Sequence, residues 1–265
     1  MPNYTDQMGR KVQLFAPPER VISLVPSQTE LLHAIGLGEE VVGITKFCVH
    51  PKAWWKSKER IGGTKKLNLD KIRELDPDLI IGNKEENTKE EIEALEEEFP
   101  VWMSNVDTID DAYEMIVEIG RMCDHEKEAV QLAKEIGDKF EKLPVSEKPE
   151  TSVAYLIWEN PMMTVSENTF IDHLLSRCGF KNVFANHPKF EGKRYPEISE
   201  EDLKVANPDR ILLSSEPFPF KDEHKKKFRE LLPKSRVEIV DGEMFSWYGS
   251  RLLQAADYLL EQKNT

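Results

Sequence analysis

The chain has few cysteines, no long apolar run and fewer basic than acidic residues, and each shortage excludes a class of protein. The three cysteines, Cys48, Cys123 and Cys178, are odd in number and far apart, so no disulfide framework is expected. The longest apolar runs have about five residues, against the roughly 20 that a membrane-spanning helix needs. With 36 basic and 49 acidic residues the net charge is −13, and no basic stripe is available for a nucleic-acid partner.

The N-terminal sequence MPNYTDQMGRKVQLF lacks both the charged segment and the apolar segment of a secretory signal. We therefore expect either a protein that starts at Met1 and works in the cytoplasm, or a chain whose leader has been removed.

Motifs of enzymes and metal sites are also missing. The sequence contains no GxSxG elbow, Walker loop or HExxH, and IGGTKK at residues 61–66 reads as a turn because it lacks the phosphate-loop spacing. The histidines are not spaced as metal ligands. Cys48 and His50, two positions apart, are weak candidates for a soft-metal or iron site, and a packed thiol beside a loop histidine is the alternative. We expect no intrinsic cofactor.

Residues 20–45, RVISLVPSQTELLHAIGLGEEVVGIT, predict a strand, a loop, a helix and a second strand. Val21–Val25 is apolar and β-branched, and Pro26 ends the strand because it lacks an N–H. Ser27 and Glu30 have the spacing of a capping box at the start of the helix. Ligands of open α/β sheets bind outside the carboxyl ends of the strands, so the loop at Pro26 and Ser27 is predicted to face the ligand.

The strand and helix alternation is interrupted once. A helical pattern runs from Asp107 to about Leu143 with a break near Asp124, and a linker-like stretch, Pro144–Thr151, follows it. The alternation resumes at Val153. We predict an α/β fold with an N-terminal lobe at 1–123, a bridging helix at 124–144 and a C-terminal lobe at 145–265.

The two halves share local sequence patterns. LLHAIGL at 31–37 parallels LLSRCGF at 174–180, and DKIRELDPDLII at 70–81 parallels EDLKVANPDRIL at 201–212. One explanation is that all helix–turn–strand segments share local sequence preferences, and the other is duplication of a lobe. If the lobes are duplicated, Asp70 and Glu201 occupy equivalent positions, each at the start of a helix.

Aromatic residues are concentrated at the predicted strand exits, and they include Phe47, Trp158, Tyr195, Phe218, Phe220, Phe245, Trp247 and Tyr248. Packing beneath loops would explain some of them. The three aromatic residues between Gly242 and Gly249 are better suited to stacking on a flat, partly apolar ligand. Trp247 or Tyr248 is therefore predicted to contact that ligand. Arg251 would pair with an anionic group of that ligand or stabilise the first turn of the closing helix.

The segments RVISLVPSQTELLHAIGL, VVGIT, HP and IGGTKKLNLDKIRELDPDLIIGN, followed by a bridging helix and a second lobe, resemble the substrate-binding proteins of metal-chelate ABC importers. The resemblance implies a helical-backbone, periplasmic-binding-protein-like fold of two α/β lobes joined by one long rigid helix. It implies a non-enzymatic monomer of the periplasm or cell envelope. Such a protein captures a cobalt or iron chelate (cobalamin, a ferric siderophore or haem) between its lobes and delivers it to an ABC permease dimer.

The resemblance also implies roles for individual residues. It implies ligand contacts from Pro26, Phe47, Thr64, Tyr195, Trp247 and Tyr248. The members that bind vitamin B12 have a tryptophan at the position of Thr64, so that stacking contact is lost here. Asp70 and Glu201 match the carboxylates that dock on permease arginines, and an acid favoured by the helix dipole is the alternative.

Other functions stay open. A cytoplasmic carrier of a tetrapyrrole or metal would need no permease. A chelatase-like enzyme can also use two α/β lobes, and His50 would be its metal-facing base. A receptor for a bare metal ion would need several converging histidine or carboxylate ligands, which the spacing does not supply.

Overall fold

The computed structural model describes residues 3–143 and 151–264, and the predicted linker at Pro144–Thr151 lies almost wholly outside them. The chain divides into two compact units. The first consists of Met1–Val106, Asp110–Gly137 and Tyr248–Leu252, and the second of Asp107–Ile109, Asp138–Trp247 and Leu253–Thr265. Each unit therefore includes one short segment that is distant in sequence from the rest of it. The lobe boundaries predicted at 123 and 144 stay a prediction.

The elements from residue 3 to residue 140 are β1 (Asn3–Thr5), β2 (Lys11–Gln13), β3 (Val21–Ser23), α1 (Pro26–Ala34), β4 (Val41–Ile44), α2 (Lys52–Ser57), β5 (Glu59–Arg60), β6 (Gly62–Gly63), β7 (Lys66–Leu67), α3 (Leu69–Leu75), β8 (Leu79–Asn83), α4 (Lys89–Glu96), β9 (Val101–Ser104), α5 (Ile109–Met122) and α6 (Glu126–Phe140). The main sheet has the order β5-β4-β3-β8-β9 with parallel pairing throughout. Two antiparallel hairpins, β1-β2 and β6-β7, lie outside it. Ile22, Ile80 and Leu95 belong to the buried core.

Most predicted elements of the first unit are confirmed. Local sequence patterns predict strands at 41–45, 79–82 and 101–104 and helices at 68–75 and 88–99, and the observed elements have ends that differ from these by at most three residues. The helical pattern from Asp107 forms α5 and α6, and Asp124 breaks it with a left-handed φ of 58°. That this segment bridges two lobes rigidly stays a prediction.

The start of α1 differs from the prediction. Pro26 lies in the first turn of the helix, where its missing N–H costs nothing, so residues 26–28 are helical and do not form a loop. Val25 is the cap residue and has no side-chain cap bond, so the capping box of Ser27 and Glu30 is wrong. The physical reason is that Pro26 favours the first helical position, so Ser27 lies inside the helix and cannot be its cap.

The polar sequence of residues 54–60 predicts an irregular connection, but these residues form most of α2 and all of β5. Trp54 anchors this helix, because its side chain is buried and its ring meets the edge of His33 at 5.1 Å. The predicted turn at 61–64 is a hairpin whose strand contains Gly62 and Gly63. Gly62 has a φ of 108°, and a Cβ there would lie 2.5 Å from the carbonyl oxygen of Lys66. Only glycine allows the two hairpin strands to approach this closely.

The elements from residue 151 onward are β10 (Thr151–Glu159), β11 (Met162–Thr164), α7 (Phe170–Arg177), β12 (Phe180–Asn182), a 3₁₀ helix (Pro188–Phe190), α8 (Glu200–Ala206), β13 (Arg210–Ser214), α9 (Asp222–Leu231), β14 (Arg236–Val240), α10 (Glu243–Ser246) and α11 (Leu252–Asn264). Strand β10 pairs in parallel with β12 and β13, and β13 with β14, whereas β11 is antiparallel. The core includes Leu156, Leu213 and Phe228. Across residues 3–143 and 151–264, no helix has both the length and the apolar character needed to cross a bilayer.

The two units repeat one topology. In order and in pairing, β3, α1, β4, α3, β8, α4 and β9 correspond to β10, α7, β12, α8, β13, α9 and β14. Local details agree: Asp76 and Asn207 end α3 and α8 with left-handed φ values of 44° and 41°. The carboxylates of Asp78 and Asp209 accept the backbone N–H of Arg20 at 2.9 Å and of Ser152 at 2.8 Å. Arg20 immediately precedes β3, and Ser152 immediately precedes the first residue of β10 that pairs with β13. This agreement favours duplication of a lobe over local sequence preferences that all helix–turn–strand segments share.

Candidate functional site

An open cavity of about 890 Å³ lies on the first unit, where β4 ends, the β6-β7 hairpin turns and α3 begins. It brings together three residues singled out in the sequence, Phe47, Thr64 and Asp70. The Phe47 side chain is 51% exposed, so much of its ring is accessible to a ligand. A Cβ on Gly63 would lie 3.1 Å from the Phe47 ring, so a residue without a side chain lets the ring lie against the hairpin.

Asn87 fixes the hairpin beside this cavity. Its Nδ2 donates to the carbonyl oxygen of Thr64 at 3.1 Å, and its Oδ1 accepts the backbone N–H of Asn83 at 2.8 Å. Thr64 is buried as a result. The cavity wall is therefore tied to the carboxyl end of β8, and the hairpin does not depend on a ligand to order it.

The segment Tyr248–Leu252 packs on α1 in the first unit. Arg251 donates from Nε and Nη2 to the two carboxylate oxygens of Glu30 at 3.0 and 2.8 Å, and the two side chains are only 9% and 19% exposed. Gly249 has a φ of 123°, and a Cβ there would lie 3.3 Å from the carbonyl oxygen of Ser27. The guanidinium is thus engaged with a protein carboxylate, and its contact with a ligand stays a prediction.

Tyr248 is buried against the carboxyl edge of the first sheet. Burial raises the pKa of its hydroxyl well above the ordinary value and the charge of Glu86 raises it further, although a hydrogen bond with Ser27 opposes the shift. The side chain of Ser104 opposes the shift of this pKa in the same direction. The hydroxyl is therefore neutral at physiological pH.

Sequence reasoning missed the polar network behind Tyr248. Ser104 Oγ accepts from Gln28 Nε2 at 2.7 Å and from Asn83 Nδ2 at 2.9 Å, and all three side chains are buried. Asn83 and Ser104 are the last residues of β8 and β9. A signal was available, because the strand-exit rule that selected the aromatic residues applies equally to polar ones.

Two tryptophans of the second unit are held by their indole N–H groups. Trp247 donates to the Glu216 carboxylate at 2.9 Å and is buried. Trp158 donates to the carbonyl oxygen of Asn160 at 3.1 Å and is 37% exposed, with the edge of its ring against Phe218 at 5.5 Å. Because the polar edge of each indole is satisfied, the faces of the rings can take an apolar partner.

Of the other predicted site residues, Tyr195 and Pro26 are half-buried and Ser27 is buried. Tyr195 follows Arg194, whose guanidinium pairs with Asp107 at 2.7 Å. Pro26, Ser27, Phe47, Thr64, Tyr248 and Arg251 belong to the first unit, and Trp158, Tyr195 and Trp247 belong to the second. Their contacts with a ligand stay predictions.

The candidate metal ligands are not arranged as a site. Cys48 is fully buried, and its Sγ lies 3.0 Å from the hydroxyl of Thr29 and 3.1 Å from that of Thr45. Burial raises the pKa of this thiol despite those hydrogen bonds. His50 is half-buried in the same loop. Among residues 3–143 and 151–264, no three histidine, cysteine or acidic side chains are placed to hold a metal ion.

The predicted docking acids are both exposed in first helical turns. The Asp70 side chain is 91% exposed at the start of α3, and Arg73 pairs with it at 3.1 Å. Glu201 is exposed at the start of α8, where Ser199 and Asp202 form a capping box. Their docking role stays a prediction.

We predict that removing one partner of the Glu30 and Arg251 pair destabilises the first unit. Glu30→Ala should lower the free energy of unfolding by about 3–5 kcal/mol, because it leaves a buried guanidinium unpaired. Glu30→Met combined with Arg251→Met should lose less, since no charge remains buried. Urea denaturation measures both. The control is Glu98→Ala, which breaks an exposed pair with Arg73 and should cost under about 1 kcal/mol. Equal losses for Glu30→Ala and the control would contradict this prediction.

We also predict that the thiols are inert in the folded protein. All three are buried, and burial raises the pKa of Cys123 and of Cys178 to about 12. At pH 8 only about 0.01% of such a thiol is the reactive thiolate. A chromogenic aryl disulfide should therefore label no thiol in buffer and all three in guanidinium chloride. Rapid labelling of native Cys48 would show that it is accessible and would restore it as a metal-ligand candidate.

Comparisons with known proteins agree with this architecture. Residues 21–236 match the model of the periplasmic binding protein family. The chain is 30% identical over 204 residues to a vitamin B12-binding protein of Vibrio vulnificus strain CMCP6, covering 75% of this chain and 72% of that protein. It is 28% identical over 270 residues to an uncharacterized ABC transporter substrate-binding lipoprotein of Bacillus subtilis strain 168, covering 97% and 83%.

A solved structure confirms the predicted fold. The periplasmic vitamin B12-binding protein of Vibrio cholerae superposes with a TM-score of 0.78 at 24% identity, covering 94% of this chain and 99% of that one. The α/β class and the resemblance to substrate-binding proteins are thereby confirmed. This chain belongs to the periplasmic binding protein family.

Proposed function

We propose that this protein is the substrate-binding component of an ABC importer and that its substrate is a metal chelate: a cobalamin, a ferric siderophore or haem. The observation that carries the proposal is the exposed Phe47 ring in an open cavity of about 890 Å³. The cavity lies where the strands of the first sheet end, which is where α/β folds bind ligands. The family is one of binding proteins, and the relatives named for vitamin B12 support a chelate as the ligand.

The proposed binding mechanism is contact of aromatic and apolar surfaces with the chelate. On the first unit Phe47 supplies the aromatic face, because Thr64 offers none. Tyr248 adds a neutral ring backed by the network of Ser104. On the second unit Trp158 and Trp247 have their indole N–H groups already satisfied, so an apolar ligand would leave no buried donor unpaired.

We further propose that Asp70 and Glu201 dock the protein on an ABC permease dimer. Both acids are exposed, and they occupy corresponding first-turn positions in the repeated topology. A dimer presents two equivalent sites, and a monomeric chain with two repeated units offers one acid for each. Such exposed charges would set encounter rate and register more than affinity. An importer takes its substrate from outside the membrane, so the proposed location is the periplasm or cell envelope.

The first test is ligand binding. Native mass spectrometry and visible absorption of the purified protein, with cobalamin, haem and ferric siderophores added in turn, should show one-to-one binding of a chelate. Phe47→Ala should weaken that binding by about tenfold, because a stacked aromatic contact is lost. Phe15→Ala is the matched control, since Phe15 is 79% exposed and does not line the cavity. If no chelate binds, the proposed function is wrong.

The docking role requires a test in cells. In cells that lack the native gene, the variant Asp70→Ala/Glu201→Ala should restore less than about a tenth of the uptake, and Glu201→Ala, at a position that does not line the cavity, should bind the chelate with unchanged affinity in vitro. The control is Glu90→Ala/Asp222→Ala, which also removes one first-turn acid from a helix of each unit. Normal uptake by the first variant, or lost affinity of Glu201→Ala for the chelate, would contradict the docking role.

A further inference from the structure

The cavity on the first unit is basic, although the protein as a whole is acidic. Lys46, Lys65, Lys66 and Arg73 contribute cations to its lining, and Asp70 is the single carboxylate among the described residues that line it. The net charge of the chain is −13. The cavity therefore has a positive local potential on a chain whose overall charge is negative.

Two of these cations are engaged with other protein groups. Arg73 pairs with Asp70 at 3.1 Å and with Glu98 at 2.7 Å. Lys65 donates to the backbone carbonyl of Glu85, and its charge acts on the nearby carboxyl group of Glu86. Glu86 therefore offsets part of the charge of Lys65. Protein acids thus partly balance the charges of both Arg73 and Lys65.

Lys46 and Lys66 differ from Arg73 and Lys65 in their surroundings. Both side chains are exposed, and within residues 3–143 and 151–264 no carboxylate lies within the 4.0 Å of an ion pair from either ammonium group. The ammonium of Lys46 lies 5.0 Å from the centroid of the Phe47 ring. The cavity thus offers a flat apolar surface and two ammonium groups that have no ion-pair partner among residues 3–143 and 151–264. A ligand that fits it has an apolar part and negative charge.

We infer that Lys46 and Lys66 select a metal chelate of net negative charge over neutral chelates of similar size. The inference rests on the proposed function and names the charge class of its substrate. The chemistry recognised is anionic oxygen held on or beside a metal complex. It has two sources: the oxygens that bind the iron, as in a ferric tris-catecholate, and carboxylates at the edge of a planar complex, as in haem.

The experiment measures dissociation constants by quenching of tryptophan fluorescence for four probes. The anionic probes are a ferric tris-catecholate and haem, and the neutral probes are a ferric tris-hydroxamate and cyanocobalamin. At least one anionic probe should bind about tenfold or more tightly than both neutral ones. Raising the salt concentration from about 50 to about 500 mM should weaken that binding by about threefold or more, because exposed charges are screened.

The variant Lys46→Gln/Lys66→Gln should lose about tenfold or more in affinity for the preferred anionic probe. Its thermal unfolding should be unchanged, since both lysines are exposed. The matched control is Lys134→Gln/Lys181→Gln, which removes the same charge from exposed positions away from the cavity and should bind normally.

The outcomes distinguish a failure of charge selection from a failure of the proposed function. A neutral probe that binds at least as tightly as both anionic probes would overturn charge selection and leave the proposed function standing. Equal losses in the cavity variant and the control variant would also overturn it, because the effect would then be one of total charge. Binding of none of the four probes would overturn both the proposed function and this inference. Between the anionic sources, the tighter probe identifies which one the cavity fits.

Discussion

Parallel pairing is the constraint on which the rest of the first unit depends. Parallel sheets have helices on both faces, and β3, β8 and β9 are accordingly buried along their whole length. Functional side chains cannot project from the middle of such strands. They are confined to the carboxyl edge, where Asn83 and Ser104 end their strands and Phe47 follows β4. The second unit also has parallel strands, and its candidate site residue Trp158 likewise lies near the end of a strand, β10.

The Glu30 and Arg251 pair shows how a segment distant in sequence is recruited to that edge. Two charges are withdrawn from water, so the pair contributes specificity more than net stability. It holds residues 248–252 on α1 in one register, because a bidentate contact fixes both distance and orientation. Gly249 permits the close approach. Together they place the Tyr248 ring beside Ser27 and Ser104, where local sequence alone would not bring it.

Charge is distributed in two ways on this acidic chain. Exposed acids such as Asp70 and Glu201 stand in first helical turns, where the helix dipole favours them and where a cationic partner could reach them. The lysines beside Phe47 stand at a cavity. Asp70 lines the same cavity as the lysines, so on the first unit a permease and a chelate would meet neighbouring charges of opposite sign. The net charge of −13 is a sum over the whole chain and identifies neither group.

The sequence by itself determined the elements and their repetition, because apolar periodicity, glycines and helix ends are local. It located β4, β8, β9, α3 and α8, and it paired Asp70 with Glu201 through matching helix starts. It also predicted ligand contacts for Phe47 and Thr64, and these two residues line one cavity. Tertiary structure alone decided which side chains meet. Glu30 has the spacing of a capping residue, but Ser27 lies inside the helix and Glu30 binds Arg251, 221 positions away. Cys48 lies beside His50 in sequence but is packed between Thr29 and Thr45. The lysines of IGGTKK lie in a segment that the sequence predicts as a turn. Only the fold shows that they line the same cavity as Phe47, because local sequence does not determine long-range contacts or burial.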